Sequence, residues 1–174
     1  MGLAGYYRQF VQDFSIIAEP INRLLRKSQP FQWNEEQELA LRKLIQKLCS
    51  DPILIRPDWN KEFKLYTDAS ALGLGAILTQ DDDDKQERVI CYASRGTSDT
   101  ERNYGATQLE CLAVVWAVNY FRYYLLGRRF KVITDHVALK WLFKMKDPSG
   151  MFARWIMKLQ AFDMEVIYYK GRKH

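Results

Sequence analysis

The chain has 174 residues, a net charge of +5, and 48% apolar and 14% aromatic side chains. That length fits one domain or a domain with a small appendage, and the apolar fraction is far from that of a disordered chain. No apolar run reaches the ~18 residues of a membrane helix, and Met1 to Gly5 lacks the basic-then-apolar pattern of a signal peptide, so no membrane partner is expected.

The first third reads as helical. Arg8 to Phe14 and Glu19 to Lys27 are short amphipathic pieces. Asn34 is a good N-cap with Gln37 three residues on, in the capping-box place. Leu41, Leu44, Ile45 and Leu48 then mark one helical face, and Ser50-Asp51-Pro52 ends the helix. Residues 51–61, with Pro52, Pro57 and Asn60, read as a linker or extended arm. From Glu62 the period changes to two: Phe63, Leu65 and Thr67 alternate with Lys64, Tyr66 and Asp68, a strand pattern. Gly73 to Gln80 and Glu87 to Ser94 predict two further strands around the exposed tip Asp81-Asp82-Asp83-Asp84. That tip lacks the spaced ligands and closing Glu of a calcium loop.

Thr107 to Leu126 predicts the main helix, ended by Gly127 at C′. Arg129 to Asp135 is a fourth strand. Val137 to Met145 and Met151 to Phe162 are two more helices, and Met164 to Tyr169 is a fifth strand. Cys49, Cys91 and Cys111 are odd in number, scattered and without a CxxC pair, as reduced core thiols of an intracellular protein are. Residues 1–84 carry −3 and residues 85–174 carry +8. A basic half suits a polyanion such as nucleic acid, or is simply a solvated surface.

Two stretches, Lys64-Leu65-Tyr66-Thr67-Asp68 and Lys131-Val132-Ile133-Thr134-Asp135, each end a strand on an aspartate. A crossover helix that returns the fourth strand parallel to the first sets Asp68 and Asp135 side by side. Two such carboxylates repel unless a cation lies between them, and a divalent ion with oxygen ligands answers that need. Glu110 heads the stripe Glu110, Val114, Ala117, Phe121, which should face the sheet. It is either a third ligand or the partner of Thr107 in a capping box. A strand-terminal Asp also serves simply to start a turn.

In order along nearly the whole chain, Gly5-Tyr6-Tyr7-Arg8, Pro30-Phe31-Gln32-Trp33, Asp51-Pro52-Ile53-Leu54, Thr67-Asp68-Ala69-Ser70, Leu109-Glu110-Cys111-Leu112-Ala113, Tyr124-Leu125-Leu126-Gly127, Thr134-Asp135-His136 and Leu139-Lys140-Trp141-Leu142 resemble landmarks of the reverse transcriptase–ribonuclease H region of gypsy-type LTR retrotransposon polyproteins. The resemblance implies an α/β fold: a ribonuclease H-like mixed five-stranded sheet with flanking helices. A thumb-like helical segment (1–50) and a linker (51–61) would precede the ribonuclease H-like domain (62–174). It implies an endonuclease that cuts the RNA strand of RNA/DNA hybrids during reverse transcription with two Mg2+ ions, Mn2+ being an alternative. Asp68 would bridge both ions; Glu110 and Asp135 would hold the second. The partners would be the hybrid and the rest of the polyprotein, polymerase and integrase, in a cytoplasmic virus-like particle or the nucleus.

Two departures from the family pattern matter. A fourth carboxylate, expected just past the fifth strand, has no counterpart before His174, so weak metal binding and slow cleavage are expected; the alternative is a non-catalytic, connection-like module. No Tyr-x-Asp-Asp pair is present, so the chain is not expected to polymerise. For phosphate contacts the candidates are Arg95, Arg128, Arg129, Lys140, Lys144 and Lys146. Trp141 either stacks on the nucleic acid or packs in the core. His136 either aids product release or sits in a turn.

Overall fold

The computed structural model describes residues 8–25, 30–49, 54–137, 139 and 150–169. The side chains of Leu48 and Cys49 and the helix expected over Val137 to Met145 lie outside them, apart from residues 137 and 139.

Five strands form one mixed sheet in the order β3-β2-β1-β4-β5: β1 (Phe63–Ala69), β2 (Gly73–Asp81), β3 (Glu87–Gly96), β4 (Arg129–Thr134) and β5 (Asp163–Tyr168). The β1/β2 and β2/β3 pairs are antiparallel, as short connections allow, and β1/β4 and β4/β5 are parallel. Helices lie at Phe14–Ile17 (α1), Glu19–Arg23 (α2), Glu35–Cys49 (α3), Ala106–Tyr120 (α4), Arg122–Leu125 (α5) and Gly150–Leu159 (α6). Among the described residues no helix is long and apolar enough to cross a membrane.

The alternation read in β1 decides which face is covered. Phe63, Leu65 and Thr67 are buried, and so are Phe130, Val132 and Thr134 of β4. These residues face α4, which packs on β1 and β2 and is backed by Trp155 and Leu159 of α6. A helix buried on most sides has little need of a polar face: Leu109, Cys111, Ala113, Val114, Val115, Ala117 and Val118 are all buried. Cys91 and Cys111 are buried free thiols.

The main helix is shorter than expected. It pauses at Phe121, which is 1% exposed, before α5. The pause lets Tyr124 stack on Trp59 (5.9 Å) and meet Phe63 edge-on (6.1 Å). Gly127 then closes the segment at φ 74°, in the left-handed region that glycine adopts freely.

The helical preface has its own small core of Val11, Phe14, Ala18, Ile21, Ala40 and Leu44. Gln37 does reach back to the Asn34 N–H (3.0 Å). The buried stripe of α3 is Gln37, Ala40 and Leu44, whereas Ile45 is exposed. α1 and α2 are so short that they cover only a narrow band of α3. The preface docks on the second face of the sheet at β3, where the Ser15 N–H donates to Ser94 Oγ at 2.9 Å.

The described part of the expected linker is fastened to the sheet. The Ile55 N–H donates to the Val89 carbonyl (3.0 Å). Gln80, 1% exposed, accepts from the Asp58 N–H (2.9 Å) and donates to the carbonyls of Asp58 (2.8 Å) and Lys61 (2.9 Å). Gln80→Leu leaves those backbone groups without their partner, so stability should fall by about 2–4 kcal/mol in urea unfolding. A change below about 0.5 kcal/mol would mean that water replaces the amide freely.

The aspartate tip is exposed at Asp83 and Asp84, as expected, and Asp81, Asp82 and Asp83 are partnered. Asp82 accepts from the Asp84 and Gln86 N–H groups and from Arg88, while Lys61 and Lys64 pair with Asp83 and Asp81.

Candidate active site

The parallel pairing of β1 and β4 builds the site. Lys64 is opposite Lys131 and Tyr66 is opposite Ile133. Two residues on come Asp68, near the end of β1, and Asp135, the residue after β4, so continuing that register brings them together at the ends of strands spaced ~5 Å apart. Alternation puts Lys64, Tyr66 and Asp68 on the face away from α4. The repeated lysine-to-aspartate pattern of the sequence is therefore a spatial one: two lysines begin the ladder and two aspartates end it. The paired lysines are kept from repelling each other by acids, Lys64 by Asp81 (2.7 Å) and Lys131 by Glu62 (2.6 Å).

The turn after β1 is held rigidly. Ser70 Oγ accepts from the Leu72 and Gly73 N–H groups, and the Ser70 N–H donates to the Gly73 carbonyl at 2.9 Å. Thr97 Oγ1 donates to the Ala71 carbonyl. Asp68 thus stands on a fixed strand end rather than a loose loop.

Glu110 approaches from α4. The capping box that was its alternative role belongs to other residues: Gly105 is the N-cap, and its N–H is held by Gln108 Oε1 at 2.9 Å. Thr107 lies inside the helix and takes no part in the box. Glu110 is 9% exposed, and its Oε2 has no hydrogen-bond partner. Burial first, then the charges of Asp68 and Asp135, raise its pKa to about 7, against a smaller opposing effect of the Ala69 backbone amide. Glu110 therefore feels the charge of both aspartates.

The buried side-chain polar atoms left unbonded among the described residues are Ser15 Oγ, Thr67 Oγ1, Glu110 Oε2 and His136 Nδ1. Thr67 precedes Asp68 and His136 follows Asp135, so three of the four belong to this carboxylate corner. Unbonded buried polar groups are rare and mark a place that an ion or water would satisfy. The donor set, carboxylate oxygens, suits a hard divalent cation. As the side chains stand, no three acidic, His or Cys groups among the described residues already gather at ligand distance. A cation would have to draw the carboxylates together against their repulsion.

A groove of about 1040 Å³ runs from this corner over the uncovered sheet face, lined in part by Asp68, Asp135, Tyr66, Ile133, Lys64 and Lys131. Lys64 and Lys131 were not anticipated as groove residues, although the two-residue period already put them on the face of Asp68 and Asp135. His136 sits in the turn after β4, its N–H donating to Thr134 Oγ1 at 3.1 Å.

The expected phosphate contacts are scattered. Arg95 is held by Glu101 through both terminal nitrogens (2.7 and 2.8 Å) and lies over Trp116. That clamp, with Ser98, depresses the Glu101 pKa to about 2 and fixes the lead-in to α4. Arg128 donates to the Trp59 carbonyl (2.6 Å) and stacks on its ring, and Arg129 pairs with Glu165 (3.2 Å). Both stand at the start of β4, ~20 Å along the strand from Asp135. Lys140, Trp141, Lys144 and Lys146 lie outside the described residues.

Comparison with known proteins gives this arrangement a context. Residues 58–162 match the RNase H-like domain found in reverse transcriptase. The retrovirus-related Pol polyprotein from transposon 297 of Drosophila melanogaster is 39% identical over 175 residues, covering 100% of this chain and 16% of that polyprotein. The corresponding polyprotein from the fly transposon gypsy is 34% identical over 186 residues, covering 100% of this chain and 18% of its own length. The chain thus spans under a fifth of these relatives. Among solved structures, a foamy viral protease-reverse transcriptase in complex with RNA/DNA hybrid superposes with a TM-score of 0.79 at 21% identity, over 99% of this chain and 24% of that one. The same viral protein in complex with dsDNA gives a TM-score of 0.80 at 20% identity, over 99% of this chain and 37% of that one.

Proposed function

The chain belongs to the RNase H-like domains found in reverse transcriptases, as carried by retrotransposon Pol polyproteins, and from that premise we propose that it cuts the RNA strand of an RNA/DNA hybrid during reverse transcription. The observation that carries this reading is Glu110: a carboxylate nine-tenths buried, with one oxygen unbonded, facing two aspartates at the ends of adjacent strands.

Asp68, Glu110 and Asp135 would hold the divalent ions, Mg2+ with Mn2+ as a substitute. Bound there, the ions would lower the pKa of an attacking water and stabilise the leaving oxygen. The chain's own residues do the positioning. The Ser70 turn fixes Asp68, and the Arg95–Glu101 clamp fixes the start of the segment that delivers Glu110. The groove face carries Lys64 and Lys131, which would have to exchange their acid partners for phosphates, with Tyr66 beside them. The rest of the polyprotein, with its polymerase and integrase, supplies the setting, a cytoplasmic virus-like particle. The helical preface corresponds to the thumb end of the polymerase.

One observation favours a second reading. The three carboxylates are not yet at ligand distance, as suits a connection-like module that binds nucleic acid without cutting it. A hybrid labelled on its RNA strand separates the two. In Mg2+, cuts confined to the RNA strand support the nuclease; binding without cuts at any Mg2+ or Mn2+ concentration supports the module. In either case binding should weaken at least tenfold between 50 and 200 mM salt, by roughly a decade or more for several phosphate contacts. A flat salt response would contradict a phosphate-tracking groove.

A further inference from the structure

At the end of the sheet away from the carboxylates, exposed rings are gathered rather than scattered. Trp59 is 46% exposed, Tyr120 42% and Tyr123 90%. Trp59 and Tyr120 belong to one ribbon of ring contacts. Trp116 meets Tyr120 (5.7 Å), Tyr120 meets Phe121 edge-on (5.0 Å), Phe121 meets Tyr124 (6.3 Å), and Tyr124 stacks on Trp59. The Arg128 guanidinium closes the ribbon, 5.1 Å over the Trp59 ring. Phe121 is buried and anchors the ribbon to the core. The exposed rings are therefore held in place and lose little freedom on binding. Tyr123 stands on α5 between Arg122 and Tyr124.

The chain's course keeps this patch clear of the carboxylate corner. Glu110 lies in the first two turns of α4, and Tyr120 is ten residues further on, ~15 Å along the helix. Trp59 meets Phe63, the first residue of β1, at 6.1 Å, whereas Asp68 is near the other end of that strand. The charge of the patch is cationic and open. Arg122 and Arg128 are exposed, and neither is in a salt bridge among the described residues. The neighbouring acids are engaged: Glu165 by Arg129, Glu62 by Lys131 and Asp58 by Asn60. An exposed aromatic patch of this kind marks a place for a partner. Flat ring faces beside guanidinium groups suit stacked bases and phosphates. A duplex hides its base faces inside the stack, and a single strand presents them.

We propose that Trp59, Tyr120 and Tyr123, with Arg122 and Arg128, form a platform for single-stranded nucleic acid, DNA or RNA. Bases stack on the rings and the arginines take the phosphates. The platform needs no metal ion and is separate from the cleavage proposed for the carboxylates.

The test is binding of fluorescein-labelled oligo(dT) and oligo(U) to the full 174-residue chain, followed by fluorescence anisotropy in EDTA. Both strands should bind; binding of only one assigns the platform to that nucleic acid. Tyr123→Ala, at so exposed a site, keeps the fold and should weaken binding about tenfold, and Tyr123→Phe, which keeps the ring face, should restore it. Arg122→Gln should lower the slope of log affinity against log salt by about 0.7, the share of one phosphate contact. In the unsubstituted chain, a strand carrying 5-iodouracil should crosslink under light to Trp59, Tyr120 or Tyr123. No binding, equal binding by Tyr123→Ala and the parent, or crosslinks confined to other residues would overturn the platform. So would a dimer that Tyr123→Ala dissociates in sedimentation without loss of strand binding, which would make the patch a contact between copies. Because EDTA removes divalent ions, none of these results depends on the cation site, whose failure would show separately in Mg2+ cleavage.

Discussion

Asp68→Asn should reduce cleavage of the RNA strand by about a hundredfold or more while leaving the protein folded. The residue is exposed at the end of β1, and its neighbours Ala69 and Ser70 carry the turn, so removing its charge costs little stability. Its side chain would be the shared ligand between the β4 carboxylate and Glu110, and an amide cannot take that role with the same charge. The measurement is the rate of RNA-strand cleavage in Mg2+ for the two chains, with thermal unfolding run in parallel. Equal rates would mean that any cleavage seen comes from elsewhere, a contaminating nuclease included.

Glu110→Gln should have the opposite effect on stability. The carboxyl titrates near pH 4.5 when unperturbed and is raised to about 7 in the fold. Below pH 4.5 it is protonated in both the folded and unfolded chain, and no penalty exists. As pH rises the unfolded chain ionises first, so stability is lost progressively up to about pH 7 and is level above it. The loss in the metal-free protein is at most about 3 kcal/mol, less whatever water in the groove screens. A glutamine removes the penalty and can still accept from the Ala69 amide, so metal-free Glu110→Gln should be more stable than the parent at pH 8 and equal to it at pH 4. Divalent cations favour the ionised form, so Mg2+ should raise the parent's Tm more at pH 8 than at pH 5 and hardly alter that of Glu110→Gln. Parallel pH profiles for the two chains would show that Glu110 ionises freely in the fold.

The sheet was legible because its strands alternate cleanly. Phe63, Leu65 and Thr67 have to face one way, which leaves Lys64, Tyr66 and Asp68 on the other. The parallel return of β4 followed from one crossover helix, and with it the meeting of Asp68 and Asp135. Less legible were features set by partners distant in sequence. Thr107-x-x-Glu110 has the letters of a capping box, but Gly105 and Gln108 form it because the chain enters the helix two residues earlier. Gln80 carries no sequence signal for its buried bonds to Asp58 and Lys61, since these partners lie 22 and 19 positions away. Arg95, Arg128 and Arg129 look alike as basic residues, yet each is engaged by an acid or an aromatic ring that only the fold brings near.

The most direct measurement is an anomalous diffraction map from crystals soaked in Mn2+. A peak is expected between Asp68, Glu110 and Asp135, with carboxylate oxygens drawn to roughly 2.0–2.3 Å from it, near the distances of hard divalent ions. Side chains still apart, with Mn2+ absent or bound elsewhere on the protein, would contradict a shared cation and leave the fold without the nuclease centre assigned to it.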